Sequence, residues 1–181
     1  RAPTVNPILA AANGAGRTNS LSGSGWYTFD AKGIWRPGVN FLGMGYHEVS
    51  FGVHHSQYSL KNPVVTTSNW QSGGATGIFS NSTGKTRTEG YWVQDAWDIN
   101  QNWNFTFGGR FENWHAYDGV NTTTVGSGLQ TVNQTNKSAF NFSPKGKLTW
   151  SPIDRVKFGA AIGQAYRYPT AAELFQTSLV G

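Results

Sequence analysis

Two adjacent histidines, His54 and His55, are the most suggestive chemical pair in the sequence. Imidazole is a common metal ligand and titrates near neutral pH. On an extended strand, however, successive side chains point to opposite faces, so neighbouring rings cannot chelate one ion together. His54 falls among polar residues and His47 has the opposite parity. The plain reading of His54 is a polar wall residue, with direct metal or haem ligation as the alternative. Asp95 and Asp98 would share one face of a helix, but on a strand they diverge and cannot work as an acid–base pair. Gly23-Ser24-Gly25 lacks the spacing of a nucleophile elbow, and there is neither a P-loop nor a His-Glu-x-x-His pattern. The nine Asp and Glu residues are scattered and Cys is absent. The sequence therefore reads as non-enzymatic, with no cofactor and no metal centre.

Binding is the remaining kind of chemistry. Trp70 and Tyr117 stand in polar stretches, free to stack on a ligand. Arg110 and Arg167 fall on polar positions and can meet an anion, a neighbouring domain or a charge network within the protein. The net charge is +5, which raises the question of nucleic acid. Arg17, Lys32, Arg36, Lys61, Arg110 and Lys137 are dispersed, though, and only Lys85/Arg87 and Lys145/Lys147 approach pairing. A nucleic-acid footprint clusters its cations, so no nucleic-acid partner is expected.

The elements that must carry these residues are strands. Charged residues make up only 13% of the chain, yet mean hydropathy is −0.43. The polarity comes from Asn, Gln, Ser, Thr and Gly, and the aromatics number 8 Trp, 7 Tyr and 11 Phe. Such a chain suits β-structure with many turns rather than helices. Between Trp103 and Glu112 one face carries Trp103, Phe105, Phe107, Gly109 and Phe111, and the other carries Asn104, Thr106, Gly108, Arg110 and Glu112. Phe140, Phe142, Leu148 and Trp150 share one parity, as do Val156, Phe158, Ala160 and Ile162, and Val49, Phe51 and Val53. Two further strands are expected over 26–35 and 86–99. Asp95 breaks the second pattern unless it lies near a membrane rim.

Connections alternate in length. Residues 36–40, 100–102 and 152–154 are short turns, whereas 59–85 and 115–137 are long and polar, and residues 1–24 are expected in a loop on the same side as the long ones. No apolar run approaches the roughly 18 residues of a membrane helix. Alternating strands with short turns at one end and long loops at the other fit a transmembrane barrel. A soluble β-sandwich is the alternative. On the barrel reading Trp26, Trp35, Trp92, Trp97, Trp103, Trp114 and Trp150 form interfacial girdles, and Phe105, Phe107, Phe158 and Ile162 face lipid.

Three segments carry a family resemblance: YWVQDAWDINQNWNFTFGGRFENW at 91–114, FSPKGKLTWSP at 142–152 and AYRYPTAAELF at 165–175. In this order and spacing they resemble the barrel of TonB-dependent receptors. The resemblance implies an all-β fold, an antiparallel up-and-down transmembrane β-barrel. About six strands are expected, part of a wall of 22. Residues 1–181 are then expected to be one piece of a receptor barrel, with the plug domain and the C-terminal strands outside it. The implied function is energy-coupled import across the outer membrane of a Gram-negative bacterium, with a ferric siderophore as ligand. The implied partners are the TonB complex, acting through the missing plug region, the iron–siderophore ligand and outer-membrane lipid. Cobalamin, haem, nickel chelates and oligosaccharides are alternative ligands, and a passive pore is an alternative function. His54, Trp70, Tyr117 and Arg167 are the expected ligand-binding residues, and Arg167, within the third motif, is also expected to help the strand give way to a loop.

Overall fold

A computed structural model describes residues 14–38, 43–71 and 74–176. They form one antiparallel sheet of eight strands and a short helix. The strands are β1 (Gly16–Asn19), β2 (Gly25–Trp35), β3 (Tyr46–Asn69), β4 (Gly74–Asp98), β5 (Trp103–Val125), β6 (Gly128–Asn133), β7 (Lys137–Ile153) and β8 (Val156–Gly163); the helix is α1 (Ala171–Phe175). The path runs β1-β3-β4-β5-β7-β8, with β2 also on β3 and β6 also on β5. β1 and β2 therefore continue one another along β3, as β6 and β7 do along β5. This leaves six staves, in agreement with the expected six.

Of the expected short turns, 100–102 is present, 152–154 is displaced because β7 continues through Ile153, and 36–40 lies partly outside the described residues. Asn100 Oδ1 accepts from the backbone N–H groups of Asn102 and Trp103 at 2.9 and 3.0 Å, an Asx turn that closes β4 onto β5. Asp154 and Arg155 join β7 to β8, with Ile153 paired to Val156.

The long connections are not loops. Residues 59–85 mostly extend β3 and β4 into one tall hairpin, and 115–137 extend β5 and add β6. Val64, Val65, Thr66 and Thr67 on one arm, and Thr122, Thr123, Thr124 and Val125 on another, are β-branched and suit a pleated backbone. Their polarity conceals this, because a hairpin standing clear of the membrane needs no apolar face. Residues 1–24 likewise contain β1, whose Gly16 to Asn19 pair with Thr67 to Val64; residues 1–13 of that expected loop lie outside the described residues. The break between β1 and β2 faces Pro63, which has no N–H for the ladder. There Ser24 Oγ donates to the carbonyl of Lys61 and accepts from its N–H, both at 2.8 Å.

Register sorts the side chains into two faces. On one lie Phe51, Val93, Phe107, Phe111, Phe142, Leu148, Trp150, Phe158 and Ile162 in paired rows. These residues are exposed, Phe158 at 56% and Ile162 at 82%. A soluble sandwich would bury such a face. Along β5 it runs from Trp103 to Phe111, about nine residues, the height of a membrane-crossing strand. Phe105, Phe107, Phe158 and Ile162 all lie on this face, as expected. Trp35, Trp97, Trp103 and Trp150 lie on it too, but Trp26, Trp92 and Trp114 fall on the opposite face, so the girdle is narrower than the sequence suggested.

Candidate functional site

The opposite face is polar and concave. Two adjacent rows cross it: Lys32, Gly52, Trp92, Arg110 and Ser143, then Ile34, Ser50, Gln94, Gly108, Lys145 and Gly163. Lys32 on β2 and Gln164 beyond β8 line one cleft of about 380 Å³ with Trp92, Arg110 and Lys145. Residues so far apart along the sheet can share a cleft only if the sheet curls toward this side.

Higher on the concave face the chain beyond β8 folds back across the wall. Thr170 caps α1 with a capping box: its hydroxyl accepts from the Glu173 N–H, and the Glu173 carboxylate accepts from the Thr170 N–H. The Thr170 N–H and the Arg167 guanidinium hold the Glu173 carboxyl below its ordinary range. Phe175 is buried with Leu60, Trp114, Ala116 and Ala171, and this cluster is the hydrophobic core among the described residues. The seat exists because two positions lack a side chain. A Cβ on Gly84 or Gly119 would lie 2.1 or 2.3 Å from the Phe175 ring. Asn121 donates to the Phe175 carbonyl at 2.9 Å, and Tyr168 stacks on Trp114 with ring centroids 5.6 Å apart.

The expected ligand residues do not converge. His54 is on the concave face, with Nδ1 2.7 Å from Asp30 Oδ1. Arg167 is held against Glu173 before α1. Trp70 sits at the tip of the β3–β4 hairpin, where its N–H donates to the Gly14 carbonyl at 2.6 Å. Tyr117 pairs with Lys85 on the outward-facing parity, with the ammonium 5.8 Å from its ring centroid. The residues that reasoning from the sequence missed are Trp92, Lys32 and Lys145. Their polar-face parity was the available signal, but for Trp92 an interfacial girdle took precedence.

Charge on the concave face is unbalanced. Asp30 is engaged by His54, Glu48 by Arg36 and Glu112 by Arg110, and Asp98 accepts from the Asn104 amide. Among the described residues Lys32, Lys145 and Lys147, on the same face, stand in no ion pair.

A family described as "TonB dependent receptor-like, beta-barrel" matches residues 4–180. The chain belongs to the TonB-dependent receptor β-barrel family. No curated protein and no solved structure matches it. Membership agrees with the fold: the curled, open antiparallel sheet has the form of a partial receptor barrel, apolar on one face and polar on the concave one. TonB-dependent receptors are transporters and not enzymes, and their barrels belong to the outer membrane. The third motif, 165–175, is the segment that folds over the concave face and closes the core.

Proposed function

We propose that this chain is part of the wall of an outer-membrane receptor that imports a scarce anionic ligand, a ferric siderophore, driven through TonB and a plug. The excess of unpaired lysine on the concave face supports an anionic cargo, since an anionic oxygen-rich chelate gains from a cationic path. Both sheet edges are open among the described residues. Open edges are not tolerated in lipid, which supports a larger closed barrel of which 1–181 is one part. Within that barrel, Arg167 and His54 are the better placed of the expected ligand residues, because they lie on the lumen side. Trp70 and Tyr117 would act only from the outer hairpins.

The test is uptake of radiolabelled ferric siderophores by iron-starved cells with and without the gene. Loss of uptake for one siderophore in the deletion strain, restored by the gene, is the expected result. Restored uptake of haem or cobalamin instead would reject the siderophore. Uptake that survives a protonophore would favour a passive pore, because energy coupling would then be absent.

A further inference from the structure

The geometry points to an oxyanion seat at mid-height on the lumen wall, formed by Lys32, Arg110 and Lys145 and taking a carboxylate group. The inference rests on the reading of the concave face as the lumen, and adds to it a place and a chemistry.

The three cations belong to the two adjacent rows and line one cleft. Arg110 and Trp92 lie flat along the wall rather than projecting from it, because glycines make room for them. A Cβ on Gly90 would lie 2.8 Å from the Arg110 guanidinium, and one on Gly52 would lie 2.9 Å from the Trp92 indole. The guanidinium is also fixed from one side, with Nε 2.9 Å from Glu112 Oε1, so it is oriented before any ligand arrives. Glu112 offsets one charge, while Lys32 and Lys145 keep theirs. Ser143 Oγ, in the same cleft, is buried without a hydrogen-bond partner, and an unmet hydroxyl there is costly unless a ligand atom satisfies it. Gln94 and Gln164 add amide donors. Cations, amides and a hydroxyl around one open cleft make a donor set for a carboxylate. The carboxylate can come from an acidic side chain of the same polypeptide that fills the lumen, or from a free ligand in transit.

Lysine reactivity in the intact receptor, in detergent, tests this. An anion beside an ammonium raises its pKa by one unit or more, which cuts the reactive free amine roughly tenfold. Acetylation of Lys32 and Lys145 is followed by mass spectrometry, with Lys157, outside the cleft, as internal reference. A carbodiimide then joins any touching carboxylate to the lysine as an amide. Slow acetylation with an adduct to a carboxylate of the same chain supports the seat and assigns it a protein occupant. Slowing only on addition of citrate supports the seat and assigns it a free anion. Rates equal to Lys157 in both conditions, with no adduct, overturn it. Ligand import is measured on cells expressing the same receptor: import with both lysines bare rejects the seat alone, whereas slow lysines without import reject the import reading alone.

Discussion

His47 Nδ1 lies 2.7 Å from Asp95 Oδ2 on the apolar, outward face, and both side chains are mostly covered, at 13% and 15% exposure. Trp97 stacks on the His47 ring at 5.3 Å and donates from its indole to the Met44 carbonyl. The acidic residue that interrupts the apolar pattern of β4 is thus matched by a diagonal partner on β3 and shielded by an aromatic ring.

Removing one member of this pair leaves the other buried without its partner. His47→Leu should destabilise the assembled receptor by about 1–3 kcal/mol, the usual cost of leaving a covered polar group without its hydrogen-bond partner. His47→Leu with Asp95→Val should recover much of that loss. Urea unfolding in detergent reads both, and a double variant less stable than the single one would contradict the pairing.

Phe107 stands on the same face at the level of Asp95 and Gly146. Phe107→Lys puts a charge into hydrocarbon and should cost about 2–4 kcal/mol near the bilayer midplane. The heat-modifiable gel shift of the full receptor measures the folded fraction, and normal assembly would mean that this face does not meet lipid.

Gly84 is occupied from above by the Phe175 ring. Gly84→Val should therefore unseat α1 at a cost of about 1–3 kcal/mol, typical of overpacking. Phe175→Ala should loosen the same segment by leaving a cavity, at about 3–5 kcal/mol. Hydrogen exchange of the peptide containing 171–175 should rise in both variants. Unchanged protection in both would show that the Phe175 seat is not what holds α1.

The Glu173 carboxyl is held below its ordinary value by the Thr170 N–H and by Arg167. A depressed folded-state pKa adds stability above the unfolded value, and this is lost as pH falls through the folded one. Protection of α1, corrected for intrinsic exchange, should be constant from neutral pH down to the ordinary carboxylate range and fall below it. Glu173→Gln should have lower protection at neutral pH and flatten the profile; a wild-type profile already flat at acid pH would separate the cap from the carboxylate.

Reading strands from parity succeeded where one face is apolar. Phe105, Phe107, Leu148, Trp150 and Phe158 lie together as the alternation requires. It failed for 59–85 and 115–137, where even the covered positions, such as Asn62, Thr67, Ser82 and Asn121, are polar, so Thr-rich strands resemble polar loops. The candidate site was legible only in outline: the polar face was visible, but not which of its residues meet.

The sequence by itself determined the two faces of the wall, the turn at 100–102 and the family, because side-chain alternation and turn chemistry are local and the three motifs are contiguous. The tertiary structure decided the rest. Gly84 and Gly119 receive Phe175 from far along the chain, Trp114 meets Tyr168 on the concave face, and Lys32 shares a cleft with Lys145 only because the sheet curls. Those contacts join residues distant in sequence, and no local period encodes which of them will touch.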